Sequence, residues 1–208
     1  DLYKSLEKFD EETIFSNISL VEPEKQLLRE HEATQKIPRK LKIVGVDSKA
    51  DGGFSALVNL TEDKVDVERV SVQAQVTYTG PEVYMAMELT KASKEYQEAL
   101  SKRGITDMDL VSMDPWPAGG IVHESIEKGH RALKTISFIK EDITDNKYAK
   151  PVNGVISHVD LTLMEVTHIE DHGVVEIPKG TARYDAESQD VLREQPKQID
   201  ITLSLIHI

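Results

Sequence analysis

The sequence predicts an α+β chain of two small units, each an antiparallel sheet with a helix packed on it. Three observations carry this. Short runs rich in valine, isoleucine and leucine recur between turns marked by glycine, proline, asparagine or aspartate. One stretch, from Gly80-Pro81 to Gly104, instead spaces its apolar residues by three and four. After that stretch the strand-like runs resume. Sheet, helix and sheet in that order argue for antiparallel sheets with segregated helices, and the chain divides at Thr79-Gly80 into units of 1–79 and 80–202.

Taken in order, residues 1–12 hold Leu2, Leu6 and Phe9 at helical spacing, the remnant of a leading helix for the first unit. Residues 14–21 read as a strand closed by Glu22-Pro23, because proline has no N–H to give to a ladder. Residues 24–34 are good helix formers and read as a short helix or an irregular acidic link. Leu41-Lys42-Ile43-Val44-Gly45-Val46 is a strand; Asp51-Gly52-Gly53 turns it, since glycine accepts positive φ, and residues 54–60 return. Glu62-Asp63-Lys64 turns again into 65–78, where Val70, Val72 and Val76 alternate, which makes the unit a meander.

In the second unit Pro81 suits the first turn of a helix and Gly104 its C-terminal cap. Ala86, Leu89, Ser93, Tyr96 and Leu100 form one stripe of that helix, opposite Lys91, Lys94, Glu95 and Glu98. Residues 110–113 read as a short strand. The following Asp114-Pro115-Trp116-Pro117-Ala118-Gly119-Gly120 reads as a rigid loop on its prolines and glycines. Residues 130–140 read as a strand with Leu133, Ile136 and Phe138, turned by Asp145-Asn146. Residues 154–161 and 164–170 pair around Thr162-Leu163. Asp171-His172-Gly173 then leads into the apolar run Val174-Val175-Glu176-Ile177, stopped by Pro178, and the polar stretch beyond is irregular.

Composition narrows the function. A net charge of −12 repels phosphate backbones and anionic lipid surfaces, so nucleic acid and membrane are poor partners. The acidity reads as a solubility device before it reads as a lure for cations. The longest apolar runs fall well short of the ~20 residues that span a bilayer. The chain has no cysteine, which excludes disulfides, thiol nucleophiles and thiolate metal sites; this fits a reducing compartment, and a cytoplasmic setting is the expectation.

Of the seven histidines, His158 and His168 face each other across the expected hairpin. His168 and His172 fall across a strand end, where a spacing of four does not align side chains. Surface or edge-strand histidines without metal are therefore expected, and no metal site is read here. Carboxylate pairs such as Asp107/Asp109, Glu141/Asp142 and Glu170/Asp171 are too common among 37 acidic residues to mark acid–base chemistry. No serine sits in a nucleophile elbow, and no glycine-rich loop has phosphate-binding form. No catalytic residue is expected.

Arg103-Gly104-Ile105-Thr106-Asp107-Met108-Asp109-Leu110-Val111-Ser112-Met113-Asp114-Pro115-Trp116 resembles the third N-terminal domain of the copper-containing primary-amine oxidases. The family continues with a small residue, Ala-Gly and an aromatic; Pro117-Ala118-Gly119-Gly120 keeps only the Ala-Gly. Ser19-Leu20-Val21-Glu22-Pro23-Glu24-Lys25 is similar to a strand of the second domain. Asp145-Asn146-Lys147-Tyr148-Ala149-Lys150-Pro151-Val152-Asn153-Gly154 resembles the entry to the third domain's hairpin. Glu170-Asp171-His172-Gly173-Val174-Val175-Glu176-Ile177-Pro178 completes the set, in family order over residues 10–202.

The resemblance implies cystatin-like α+β domains flanking a missing catalytic β-sandwich, which would be this region's partner. It implies a homodimeric parent that oxidises primary amines with copper and topaquinone. Neither group is expected here. Tyr184 in Arg183-Tyr184-Asp185 lacks the asparagine of the quinone motif, and no His-x-His pair occurs. One role carries over: the residues matching the family's amine-channel wall are Trp116 and Tyr148. The tail Leu203-Ser204-Leu205-Ile206-His207-Ile208 resembles a translated transposase adapter, so 203–208 is expected to be non-native. The alternative reading is a stand-alone, non-catalytic binding module of the same fold.

Overall fold

The structure is a computed structural model that describes residues 13–31, 36–47, 52–69, 75–180, 182–185 and 188. The expected leading helix at 1–12 and the tail at 203–208 lie outside them. The architecture is α+β: two four-stranded antiparallel sheets with short helices, each sheet a meander in chain order.

The first sheet is built from β1 (Ile14–Val21), β2 (Lys40–Asp47), β3 (Gly52–Asn59) and β4 (Lys64–Arg69), with a single-turn helix α1 (Lys25–Arg29) after β1. Its buried side is formed by Ile43, Phe54, Ala56 and Val58, with Leu41, Val65 and Val67 packed beside them. Gly45 faces Phe54 across the ladder, and a Cβ at Gly45 would lie 2.4 Å from the Ile14 carbonyl oxygen and 2.6 Å from the Phe54 ring. The glycine thus makes room for the Phe54 ring. The expected strand at 65–78 is shorter than read. Pairing is described to Arg69, and residues 75–79 run outside the sheet. There the Val76 carbonyl accepts from Arg131 rather than from a strand.

The second sheet comprises β5 (Val111–Pro117), β6 (Ala132–Ile139), β7 (Pro151–Asp160) and β8 (Glu165–Asp171), with helices α2 (Gly80–Ala92) and α3 (Lys94–Ser101) on one face. Pro81 stands in the first turn of α2, where the N–H and hydroxyl of Thr79 both donate to the Glu82 carboxylate. The single helix expected between Pro81 and Gly104 is two. Ser93, read as part of the apolar stripe, has an extended ψ of 123° and caps α3 by accepting the Tyr96 N–H at 3.3 Å. A serine hydroxyl competes for backbone donors, and here it re-starts the helix. Gly104 does end the pair, with a left-handed φ of 77°.

The helices bury Ala86, Thr90, Tyr96, Ala99 and Leu100. Two clusters lie under them: Tyr96 and Leu100 meet Val111, Met113 and Val155, while Ala86 meets Leu133, Val159 and Leu161. A seam of buried hydroxyls threads the same layer, with Tyr96 OH 2.6 Å from Ser137 Oγ and Thr90 Oγ1 2.9 Å from Ser157 Oγ.

One further expectation is corrected. The rigid loop expected at 114–120 begins as strand, because β5 pairs with β6 through Pro117. β5 is an edge strand, and its even residues turn their backbone toward β6: Leu110 accepts from Lys140, and Ala118 donates to Ala132. Pro115 and Pro117 are odd, so their missing N–H groups would have pointed away from the sheet. The apolar run Val174-Val175-Glu176-Ile177 follows β8 without regular secondary structure. Val174 and Val175 are exposed, and Ile177 alone of the apolar three packs on the core.

Candidate functional site

The face of the second sheet away from the helices follows from strand alternation. On β5 the odd residues Val111 and Met113 go into the core, which leaves Asp114 and Trp116 outward. Cross-strand register then sets Trp116, Lys134, His158 and His168 in one row over all four strands, and Asp114, Ile136, Ile156 and Glu170 in the next. The sequence reading of 130–140 did not separate these faces: Leu133 belongs to the helix side, and Ile136 and Phe138 to this one.

Trp116 and Tyr148, the two expected channel residues, are both more than half exposed, at 57% and 54%. Trp116 Nε1 donates to Asp114 Oδ2 at 3.3 Å, and Asp114 Oδ1 meets Lys147 Nζ at 3.5 Å. The Lys147 ammonium stands 4.6 Å from the Tyr148 ring centroid, and that ring meets Phe138 edge-on at 5.2 Å. Hydrogen bonding to the Tyr148 side chain, then the Asp114 carboxylate, hold the Lys147 pKa above its ordinary value. The two aromatics are thus joined through a carboxylate and an ammonium. Asp114 and Lys147 were not singled out from the sequence; the only signal was that each lies within two positions of an aromatic already chosen.

A cleft of ≈ 620 Å³ lies elsewhere, lined among others by Val76, Tyr78, Val83, Pro115, Pro117 and Leu133. Neither Trp116 nor Tyr148 lines it. Its wall includes residues 75–78, where alternation predicts a strand, and a strand reading does not point to a cleft. Burial, only partly offset by the Arg131 charge, raises the Tyr78 pKa. The Tyr78 hydroxyl donates to the Ala132 carbonyl at 2.7 Å and fixes that wall.

The hairpin places His158 opposite His168, as the sequence suggested. His172 turns instead to Glu170, with Nε2 2.8 Å from Oε2, and Glu170 Oε1 also meets His158 Nε2. The hydrogen bonds to His172 and His158 hold the Glu170 pKa down at about 2. Burial lowers the His158 pKa, with the Glu170 hydrogen bond opposing it. Among the described residues no group of three or more His, Asp or Glu side chains is disposed to hold a metal ion. The histidines meet ring to ring or at a carboxylate, so they do not fit a copper centre.

The model of the copper amine oxidase N3 domain matches residues 82–189. The chain is 28% identical over 189 residues to the primary amine oxidase of Arthrobacter sp. (strain P1), covering 90% of this chain and 28% of that protein. It is 25% identical over 211 residues to the primary amine oxidase of Klebsiella aerogenes, covering 95% of this chain and 26% of the relative. The chain therefore spans little more than a quarter of the length of these curated relatives. The crystal structure of a copper-containing benzylamine oxidase from Hansenula polymorpha superposes with a TM-score of 0.68 at 14% identity, covering 94% of this chain and 33% of that one. At that identity the superposition speaks to fold.

Proposed function

Because this chain belongs to the copper amine oxidase family, through an N3 domain match that takes in more than half of its residues, we propose that it is the N-terminal accessory region of a longer primary-amine oxidase. Such an enzyme oxidises a primary amine to an aldehyde and releases ammonia and hydrogen peroxide. Copper and topaquinone supply the redox chemistry there; among the described residues of this region no group of three or more His, Asp or Glu side chains is disposed to hold a metal ion. The observation that carries the reading is the extent of the likeness: the match to the Arthrobacter enzyme runs through 90% of the chain. Residues 1–79 and 80–202 act as the second and third N-terminal domains. They pack on a catalytic β-sandwich, in a homodimer and in a reducing, cytoplasmic setting.

In this reading Trp116 and Tyr148 form part of the wall past which the amine enters. Their exposure favours it, since each residue is more than half open to a partner surface or a passing molecule. Asp114 and Lys147 hold the pair in register. The test is Trp116→Ala and Tyr148→Ala in the longer enzyme, with kcat/KM measured for several amines. A fall of about tenfold that differs between amines supports the wall. Unchanged values for every amine remove Trp116 and Tyr148 from it.

A further inference from the structure

Strand alternation puts Pro115 and Pro117 on the helix side of the second sheet, in line with Val111 and Met113. Val83 from the start of α2, Tyr78 just before it and the buried Leu133 of β6 bound the same space. The result is the cleft of ≈ 620 Å³, whose walls are mostly hydrocarbon. Sites for small molecules fall in the range of roughly 300–1,000 Å³ and share that character.

These walls are fixed before anything enters. The Tyr78 hydroxyl donates to the Ala132 carbonyl at 2.7 Å and accepts the Ala132 N–H at 3.1 Å. Arg131 lies 4.0 Å over the Tyr78 ring, and Gln75 Nε2 donates to the His130 carbonyl at 3.1 Å. The two proline rings have no φ freedom to lose. A wall already in place costs little ordering when a ligand arrives.

The cleft is polar where His130 lines it. His130 Nδ1 lies 2.7 Å from Oδ2 of the fully buried Asp160, whose other oxygen accepts the N–H groups of Thr162 and Leu163. On its far side His130 Nε2 lies 3.6 Å from Oε2 of Glu127, a side chain 80% exposed. A neutral ring gives its proton to Asp160 and leaves Nε2 an acceptor. A charged ring already faces two carboxylates. In neither state is a positive charge left over for a ligand, and the neighbouring Arg131 is matched by Glu82. A carboxylate or phosphate would meet groups of its own sign here, whereas an ammonium would meet acceptors. The net charge of −12 draws molecules of the same positive sign.

We propose that this cleft binds small apolar amines, with the hydrocarbon body between Tyr78, Val83, Pro115 and Pro117 and the ammonium at the His130 end, where Glu127 accepts it. The site is built by this chain alone, and it stands whether or not the chain is the flank of an oxidase.

The test uses the chain as it stands, at neutral pH, with three molecules that share one phenyl body. Phenethylamine carries an ammonium, phenethyl alcohol a neutral hydroxyl and hydrocinnamate a carboxylate. Amide resonances are followed by NMR as each is added. Phenethylamine should shift Val83, Ala118 and Leu133 with a Kd on the order of 1 mM or tighter. The alcohol should bind about fivefold more weakly, and hydrocinnamate at least about tenfold more weakly. Val122→Trp fills the cleft from a position that is 39% exposed, so it spares the core and should abolish binding of the amine. Glu127→Gln should bring the amine down to the affinity of the alcohol and leave the alcohol unchanged. Absence of shifts at the three amides, an alcohol or carboxylate bound as tightly as the amine, or amine binding unmoved by either substitution overturns the site.

Discussion

Arg131 donates through Nε to Glu82 at 2.8 Å while its guanidinium lies 4.0 Å over the ring of Tyr78. Both side chains of the ion pair are nearly buried. The same Glu82 carboxylate closes the N-terminus of α2 on Thr79, so one residue fastens the helix, the 75–79 segment and the start of β6.

Removing one partner of that pair leaves the other charged and buried. Glu82→Ala is expected to destabilise the chain by about 3 kcal/mol, and Glu82→Leu with Arg131→Met by much less. Urea unfolding of the two variants checks the order. Equal losses would mean that the charges themselves stabilise.

Tyr96 shares its hydroxyl with Ser137 under α3, and burial pushes its pKa up to about 12. Tyr96→Phe strands the Ser137 hydroxyl and should lower stability by about 1–2 kcal/mol. Adding Ser137→Ala should restore part of it. A double variant no better than the single one would show that packing of the ring, not the hydrogen bond, had been disturbed.

Acid should act on stability through two lowered groups. Glu170 ordinarily titrates near 4.5 and is held at about 2 in the folded chain. Its contribution is present above pH 4.5 and is lost as pH falls toward 2. The His158 pKa is also lowered from 6.5, so its contribution is present above that value and is lost first on acidification. Stability measured from pH 8 to 3 should therefore fall as pH falls. Glu170→Gln should flatten the curve below about pH 4.5 and leave the His158 step near neutrality.

Gly45→Ala should destabilise the first sheet by about 2 kcal/mol, since the new methyl meets the backbone at Ile14 and the Phe54 ring at once. Gly104→Ala meets open space but keeps a positive φ, and about 1 kcal/mol is expected. Thermal unfolding ranks the two. If Gly104→Ala is the worse, the close approach at Gly45 is relieved by a shift of Phe54.

What could be read from sequence was what is local. β1 and the β7–β8 turn follow from alternation bounded by turn residues, and Pro81 and Gly104 mark the helical stretch from both ends. Ser93 misled because helical spacing alone does not say whether a serine rides the stripe or caps a new turn. Pro115 and Pro117 misled because their tolerance depends on β5 being an edge, a property of the assembled sheet. At the candidate site the aromatics came from the resemblance. The tie between them, Asp114 to Lys147, bridges residues 33 positions apart, and the Glu82–Arg131 pair beside Tyr78 bridges 49. No periodicity reports such distances. The His158–His168 pairing was legible as two positions flanking one turn, whereas His123 reaches them from outside the hairpin.

The two prolines of β5 reach further than their own strand. Along its second half the sheet shows outsiders acceptors without the matching donors, so a foreign strand laid there would find every second bond missing. Growth of the sheet by edge-to-edge association is blocked on that flank. Recognition of the second unit is thereby diverted to its broad surfaces, where side chains, not backbone, decide what binds.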